Sequence, residues 1–214
     1  MQLFPSFFNE VLLYMLLNHI ILAMLWIIFC LSHSALASKT VKKWLKHRLG
    51  KKYKFYRLFY TILSFLLMGG IFYYQLSIPS IKMFPTSKMF YLAGIIFSSA
   101  GILLMLICIK KYFISLSGLK SLFQEKPSNT LIISGVHRYI RHPLYTGTFI
   151  FIWGLFILFP YASLLIANLI ITIYTLIGIS FEESKLIDEF GAQYIQYKQQ
   201  VPKLIPSLKS KRIS

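Results

Sequence analysis

The stretch Pro143–Phe181, PLYTGTFIFIWGLFILFPYASLLIANLIITIYTLIGISF, decides the fold of this chain. It contains two uncharged apolar runs on either side of Pro160. A helix needs about 20 mostly apolar residues to cross the roughly 30 Å hydrocarbon layer of a membrane. Proline is well tolerated at the first position of a helix, where Pro143 stands. We therefore predict two membrane-spanning helices, Pro143–Phe159 and Tyr161–Phe181, joined as a tight hairpin.

Three further apolar runs extend this interpretation to the rest of the chain: Val11–Ala37, Leu58–Ile78 and Met89–Ile109. The 214 residues are 57% hydrophobic with a mean hydropathy of +0.65, which is too apolar for a soluble domain of this size. The first run is longer than the core of a signal peptide and has no basic region before it, so we expect it to be a permanent span. The predicted fold class is an all-α, polytopic membrane protein with about five transmembrane helices.

A different pattern follows the fifth run and predicts a C-terminal amphipathic cytoplasmic helix that ends at Pro202. Apolar side chains recur there at helical spacing. They are Leu186, Phe190, Tyr194, Tyr197 and Val201. Gly191 lies inside the pattern, and because glycine costs about 1 kcal/mol relative to alanine within a helix, we expect it to mark a close contact.

The basic residues predict how the chain is oriented. Of the 23 Lys and Arg, nine lie within residues 39–57, six within 110–141 and six within 185–212, which leaves only Lys82 and Lys88. With five spans the three basic segments share one face, which the positive-inside rule assigns to the cytoplasm. We expect the N-terminus outside and the C-terminus in the cytoplasm. The partners of these segments are then the lipid bilayer and its anionic headgroups, and not nucleic acid.

Charged residues also gather at the two cytoplasmic ends of the predicted hairpin. His137, Arg138, Arg141 and His142 precede its first helix, and four of the six acidic residues lie in Glu182–Glu189, just past its second. Because a hairpin brings its ends together, these groups should meet. Two interpretations stay open: interfacial anchors tied by an ion pair, or a ligand site in which cations and a helix N-terminus hold a carboxylate while a glutamate holds an ammonium group.

The charged segments resemble a family of membrane methyltransferases. This family includes isoprenylcysteine carboxyl methyltransferases, phospholipid methyltransferases, methanethiol S-methyltransferases and NnrU-like proteins. The resemblance covers Gly135 to Pro206. It is carried by Gly135, Arg138, Arg141, His142, Pro143, Tyr145, Gly147, Glu182, Glu183, Leu186, Phe190, Gly191, Tyr194, Tyr197 and Val201. Two shorter stretches also resemble branches of this family. Cys30–Leu45 resembles the methanethiol and NnrU-like branches, and Leu116–Phe123 resembles the methanethiol branch more loosely.

The resemblance implies an enzyme that uses S-adenosylmethionine bound near the cytoplasmic face. In the family, residues like His142, Tyr145 and Glu183 contact the cofactor, and we add Gly147, Glu182 and Tyr194 as cofactor-binding candidates. The positive charge of Arg138 and Arg141 could favour a thiolate, which makes them the catalytic candidates. Nothing in the sequence demands a metal. Residues 111–214 would form the cofactor-binding region, after an N-terminal three-span region of residues 1–110.

The acceptor of the methyl group is left open among three alternatives. The first is a lipophilic acceptor reached through the membrane, with a small thiol slightly favoured because of the two stretches that resemble the methanethiol branch; nearby arginines would favour its thiolate, but this charge argument does not separate a thiol from a carboxylate. The second is an isoprenylcysteine or other lipidic carboxylate, which is already ionised at neutral pH. The third is a noncatalytic, NnrU-like membrane assembly or transport partner. A role for His33 is also left open.

Overall fold

The computed structural model describes residues 3–116, 131 and 133–206, and the side chains of 9–110, 131 and 133–206. Most of the stretch Leu116–Phe123 lies outside this part of the chain. The regular secondary structure of the described residues is helical, apart from one isolated antiparallel bridge between Lys82 and Tyr161. The elements are α1 (Leu3–Ala37), α2 (Lys39–Leu49), a 3-10 turn (Gly50–Phe55), α3 (Tyr56–Ser77), α4 (Lys88–Leu116), a second 3-10 turn (Gly135–Arg138), α5 (Pro143–Leu158), α6 (Ala162–Phe190) and α7 (Ala192–Gln200).

The helices confirm an all-α membrane protein. Four helical stretches in the described residues are long and apolar enough to cross a membrane. They are Asn9–Ala37, the part of Lys39–Ser77 that contains α3, Lys88–Lys110 and Ala162–Phe190. The fifth apolar helix, α5, has 16 residues. At about 1.5 Å per residue it is roughly 24 Å long, so the number five stays a prediction.

The described residues form two compact units. The first contains residues 3–85 and 159–171, and the second contains 86–116, 131, 133–158 and 172–206. In the first unit, Leu22, Trp26, Ile71 and Ala167 form a buried core, and the Trp26 indole donates a 3.1 Å hydrogen bond to Gln75 Oε1. The division of the sequence at residue 110 stays a prediction.

Close contact between α4 and α5 builds the second unit. A Cβ added at Gly101 would lie 2.5 Å from the backbone nitrogen of Phe151, and one added at Gly154 would lie 2.6 Å from that of Ser98. Glycine therefore lets the two backbones meet where any side chain would separate them. This contact fixes α5, whose first residues carry the predicted site.

The prediction of a close contact at Gly191 was wrong. Gly191 has φ +55 and separates α6 from α7, so the C-terminal pattern is two helices. Nothing lies within 4 Å of the position that its Cβ would occupy. Its backbone conformation, which L residues rarely adopt, is the reason for glycine here. The turn folds α7 back so that Tyr194, Tyr197 and Val201 are buried against Leu186 and Phe190.

Candidate active site

The Glu183 carboxylate lies at the centre of a cluster of basic side chains. Its Oε1 is 2.9 Å from Arg141 Nη2 and 3.1 Å from His142 Nε2, and its Oε2 is 3.2 Å from Lys198 Nζ. Arg141, His142 and Glu183 are buried, whereas the Lys198 side chain is 43% exposed. An ion that is withdrawn from water needs such partners, because burial of an unpaired charge costs several kcal/mol. The ends of the α5–α6 hairpin therefore meet as the sequence predicts.

The segment that follows α7 closes over the beginning of α5. The backbone N–H of Arg141 donates to Pro202 O at 2.9 Å, and that of His142 donates to Lys203 O at 3.1 Å. The Thr146 hydroxyl donates to Leu204 O at 2.8 Å. These hydrogen bonds are possible because Pro143 and its neighbours lie at a helix N-terminus, where backbone donors lack partners within the helix.

The Arg141 guanidinium ties α7 to this arrangement. Its Nη1 donates to the backbone oxygens of Lys198, at 2.6 Å, and Val201, at 3.1 Å. Its Nε is buried and has no hydrogen-bond partner within the described residues. A buried N–H without a partner costs free energy, so this atom is a candidate donor for a ligand.

The second glutamate, Glu182, has a different environment. It is half-buried, and its Oε2 accepts a 3.0 Å hydrogen bond from the Tyr145 hydroxyl. The Tyr145 ring also stacks on His142, with 5.8 Å between the ring centroids. Tyr145 therefore links the carboxylate of Glu182 to the cationic side of the cluster.

Beside the cluster lies a cavity of about 320 Å³. Such a volume is at the lower end of the about 300–1,000 Å³ that small-molecule sites occupy. The cavity is bordered by cationic, acidic and aromatic side chains. They are Leu131, His137, Arg141, His142, Glu182, Leu186, Glu189, Phe190, Tyr194 and Tyr197. The mixed charge of this lining suits a ligand that carries both signs.

Tyr194 borders this cavity, and its buried hydroxyl lacks a partner among the described residues. The residue is only 1% exposed. Burial, together with the negative charge of nearby Glu183, raises the pKa of Tyr194 to about 12, so the phenol stays protonated at neutral pH. Buried hydroxyls nearly always make a hydrogen bond. An acceptor on a bound ligand would complete this one.

The structure brings together most of the site residues that the sequence predicts. Arg141, His142, Glu182 and Tyr194 border the cavity, Tyr145 contacts two of these residues, and Glu183 lies behind them.

Two predicted residues lie elsewhere. Gly147 packs against α4, where an added Cβ would lie 3.0 Å from the Gly101 oxygen, and Arg138 is an exposed residue outside the cavity lining. The catalytic and cofactor-binding roles of all eight residues stay predictions.

Several residues of the site were not predicted from the sequence. His137 and Glu189 border the cavity, and Lys198 contacts Glu183. Both cavity residues stand within the two charged clusters, which was a usable signal. Lys198 gave none, because its contact depends on the turn at Gly191.

His33 belongs to the first unit and has its own partners. Its Nδ1 lies 3.1 Å from Ser64 Oγ, and its Nε2 lies 2.7 Å from the Tyr60 hydroxyl. Within the described residues, no group of three or more His, Cys, Asp or Glu side chains is arranged to hold a metal ion.

The chain is similar in sequence to known methyltransferases. The family described as "Phospholipid methyltransferase" matches residues 89–193. Methanethiol S-methyltransferase from Crocosphaera subtropica is 32% identical over 193 residues, which cover 86% of this chain and 73% of that protein.

Two shorter matches have related descriptions. Methanethiol S-methyltransferase 1 from Bradyrhizobium diazoefficiens is 41% identical over 33% of this chain and 24% of its own length. Protein-S-isoprenylcysteine O-methyltransferase from Rattus norvegicus is 31% identical over 70% of this chain and 56% of its own length. No solved structure matches the chain.

Proposed function

Because the chain belongs to the family of membrane methyltransferases that includes methanethiol S-methyltransferase and protein-S-isoprenylcysteine O-methyltransferase, we propose that its cavity binds S-adenosylmethionine for transfer of a methyl group to a small thiol. The observation that carries this proposal is a cavity lined by both charge signs and by Tyr194, whose buried hydroxyl has no partner among the described residues. A solvated surface cluster would leave no such hydroxyl.

The side chains around the cavity fit the amino-acid part of this cofactor, which carries an ammonium and a carboxylate group. The Glu182 carboxylate borders the cavity and suits the ammonium group. His142 and Arg141 suit the carboxylate, and the protonated Tyr194 hydroxyl donates to it or to another acceptor of the cofactor. Charge-assisted hydrogen bonds of this kind are about twice as strong as neutral ones.

Glu183 has an indirect role in this proposal. Its oxygens already contact Arg141, His142 and Lys198, and it is absent from the cavity lining. It holds Arg141 and His142 in the position from which they face the cavity. A direct contact between Glu183 and the cofactor stays a prediction from sequence.

When bound, S-adenosylmethionine supplies an electrophilic methyl group on a positively charged sulfur. The residues of the chain orient this group, since alignment alone contributes up to about 7 to 11 kcal/mol to such reactions. Leu186, Phe190 and Tyr197 give the cavity an apolar wall that limits access of water. No acid is needed, because the leaving sulfide departs neutral.

The choice of a thiol acceptor rests on two supports. The longest of these alignments is with a protein described as a methanethiol S-methyltransferase. In addition, nearby cations lower the pKa of a thiol from its usual value of about 8.5 and so favour the reactive thiolate. A prenylated cysteine carboxylate is the second candidate, which the alignment over 70% of the chain with the rat relative favours.

The basic segments support a cytoplasmic location for the site. Arg138, Lys185, Lys198 and Lys203 surround it in sequence, and the positive-inside rule assigns such segments to the cytoplasm. With the N-terminus outside and the C-terminus inside, the thiol would reach the site from the membrane or the cytoplasm.

Methyl-transfer assays with the purified chain in lipid test this function. The chain is incubated with methyl-labelled S-adenosylmethionine and either methanethiol or a farnesylated cysteine. We expect label in dimethyl sulfide and little in the farnesylcysteine ester. The opposite distribution would assign the chain to carboxyl methylation. Absence of product from a folded chain would favour the noncatalytic alternative.

A further inference from the structure

The connection between α1 and α3, taken together with the first two residues of α3 as residues 39–57, carries nine Lys and Arg residues and no Asp or Glu. It is a separate helix, α2, followed by a 3-10 turn. The Ser38 side chain caps α2 by accepting a 3.3 Å hydrogen bond from the Val41 N–H, and Gly50 ends it at φ +49. These caps make the connection a defined structural element within the first unit.

The two faces of α2 differ in polarity. At about 100° per residue, the apolar side chains fall within an arc of about 140°, and four lysines fall within an arc of about 100° on the opposite side. The apolar set is Val41, Trp44, Leu45 and Leu49, and the lysines are Lys39, Lys42, Lys43 and Lys46. Arg48 falls within the apolar arc, beside Trp44. No residue of α2 is buried. A short helix with these two faces is typical of one that lies in a membrane interface.

Large apolar side chains along this connection are exposed. Trp44 is 57% exposed, and Phe55, in the 3-10 turn, is 51% exposed. Each is paired with a cation: the Arg48 guanidinium lies 5.7 Å from the Trp44 ring, and the Lys54 ammonium lies 5.0 Å from the Phe55 ring. Aromatic rings and cations that stand side by side match the boundary between acyl chains and headgroups.

We propose that residues 39–57, here called the basic connection, form a docking surface for anionic phospholipid headgroups. Its charge is complementary to such headgroups, and each Lys or Arg near an anionic membrane surface contributes about 1 kcal/mol, or roughly fivefold. The connection begins at the end of one apolar helix, α1, and ends at the start of another, α3. Both ends are thus held at the membrane. This lipid interaction goes beyond the proposed methyl transfer and does not depend on it.

The same positive charge suits nucleic acid, but the position of the basic connection favours lipid. Both neighbouring helices are apolar enough to cross a membrane. The exposed Trp44 and Leu49 would then insert among lipid groups and leave the lysines at phosphate depth. Binding of nucleic acid would instead leave these apolar side chains in water.

Trp44 provides the reporter for a test with the full chain. With Trp26 and Trp153 replaced by phenylalanine, quenching of the remaining tryptophan is measured in bilayers that contain brominated phosphatidylglycerol or brominated phosphatidylcholine. We expect the anionic lipid to associate at least about fivefold more strongly at low salt, which is the contribution of a single Lys or Arg at the surface. At 1 M salt, where the screening length is about 3 Å, this preference should largely disappear.

Two sets of lysine substitutions test whether the preference for anionic lipid arises from the basic connection. Lys42→Gln, Lys43→Gln and Lys46→Gln together should lower the ratio of the two association constants by at least about fivefold. Lys82→Gln with Lys88→Gln, outside the basic connection, should leave it unchanged. A ratio near one in the unsubstituted connection would overturn the proposal. Such a ratio, combined with tight binding of a labelled nucleic acid by the detergent-solubilised chain, would reassign the surface.

A second measurement keeps all three tryptophans and applies if the double Trp→Phe chain fails to fold. The chain is purified from a defined mixture of the two lipids, and the retained lipid is measured by mass spectrometry. We expect phosphatidylglycerol to be enriched several-fold over the starting mixture. Enrichment should be lower in the triple lysine variant than in the unsubstituted chain, whereas the Lys82→Gln, Lys88→Gln chain should keep the unsubstituted value. Retention at the starting ratio by the unsubstituted chain would refute the docking surface.

Discussion

Replacement of Glu183 by glutamine removes the negative charge that Arg141, His142 and Lys198 contact. The substituted side chain can still accept one hydrogen bond from Arg141, but its amide NH₂ would face His142 or Lys198 as a second donor. Loss of one partner from a buried ion pair costs about 3–5 kcal/mol. The Lys198 contribution is small because that side chain is 43% exposed. With one hydrogen bond retained, we expect a destabilisation of about 3 kcal/mol.

This loss should be visible in thermal unfolding of the detergent-purified chain. For a chain of 150–250 residues, 1 kcal/mol shifts the midpoint by about 2–4 °C, so Glu183→Gln should lower Tm by about 6–12 °C. The matched control is Glu189→Gln, an exposed residue on the same helix, which should shift Tm by less than about 2 °C. A Glu183→Gln chain that unfolds at the wild-type temperature yet fails to bind S-adenosylmethionine would refute the indirect role, and would make Glu183 a direct ligand.

Three further substitutions test neighbouring parts of the account. Glu182→Gln should weaken S-adenosylmethionine binding by about 10- to 150-fold in calorimetry, since a charged hydrogen bond of about 1.5–3 kcal/mol is lost, with Tm nearly unchanged. Tyr194→Phe should weaken S-adenosylmethionine binding about 2- to 10-fold without loss of stability, because the Tyr194 hydroxyl has no partner among the described residues. A large drop in Tm would show that the hydroxyl stabilises the fold. Gly101→Ala should destabilise the chain by about 1–3 kcal/mol in thermal unfolding, since its Cβ would meet the Phe151 backbone at 2.5 Å. Gly178→Ala is the control, with nothing within 4 Å, and equal effects at both glycines would contradict the close contact.

The sequence predicted the membrane helices because hydrocarbon imposes a simple rule on length and polarity. Predicted and observed bounds of α3 differ by two residues at the start and one at the end. The end of α6 was harder to predict. It continues to Phe190, nine residues beyond the predicted Phe181, because its polar last turns pack against the side chains of α7. Hydropathy detects the membrane boundary and not the helix end.

The meeting of Arg141 with Glu183 was also predictable, since a hairpin brings its two ends together. The sequence did not reveal which of two adjacent glutamates would be buried. Side chains of consecutive residues point about 100° apart on a helix, and only the packing of α5 and α7 against α6 decides which direction is enclosed. Contacts of the last segment, such as Arg141 with Pro202, depend on the φ +55 turn at Gly191, which helical periodicity does not encode.

Isothermal titration of the purified chain with S-adenosylmethionine tests the central claim most directly. The account predicts saturable binding of one molecule per chain, with binding of the Glu182→Gln variant reduced at least about tenfold while its Tm stays within about 2 °C of the wild type. Absence of binding by a chain that shows a cooperative unfolding transition would contradict the assignment of the cavity to this cofactor. The cluster around Glu183 would then serve only to close the helical hairpin.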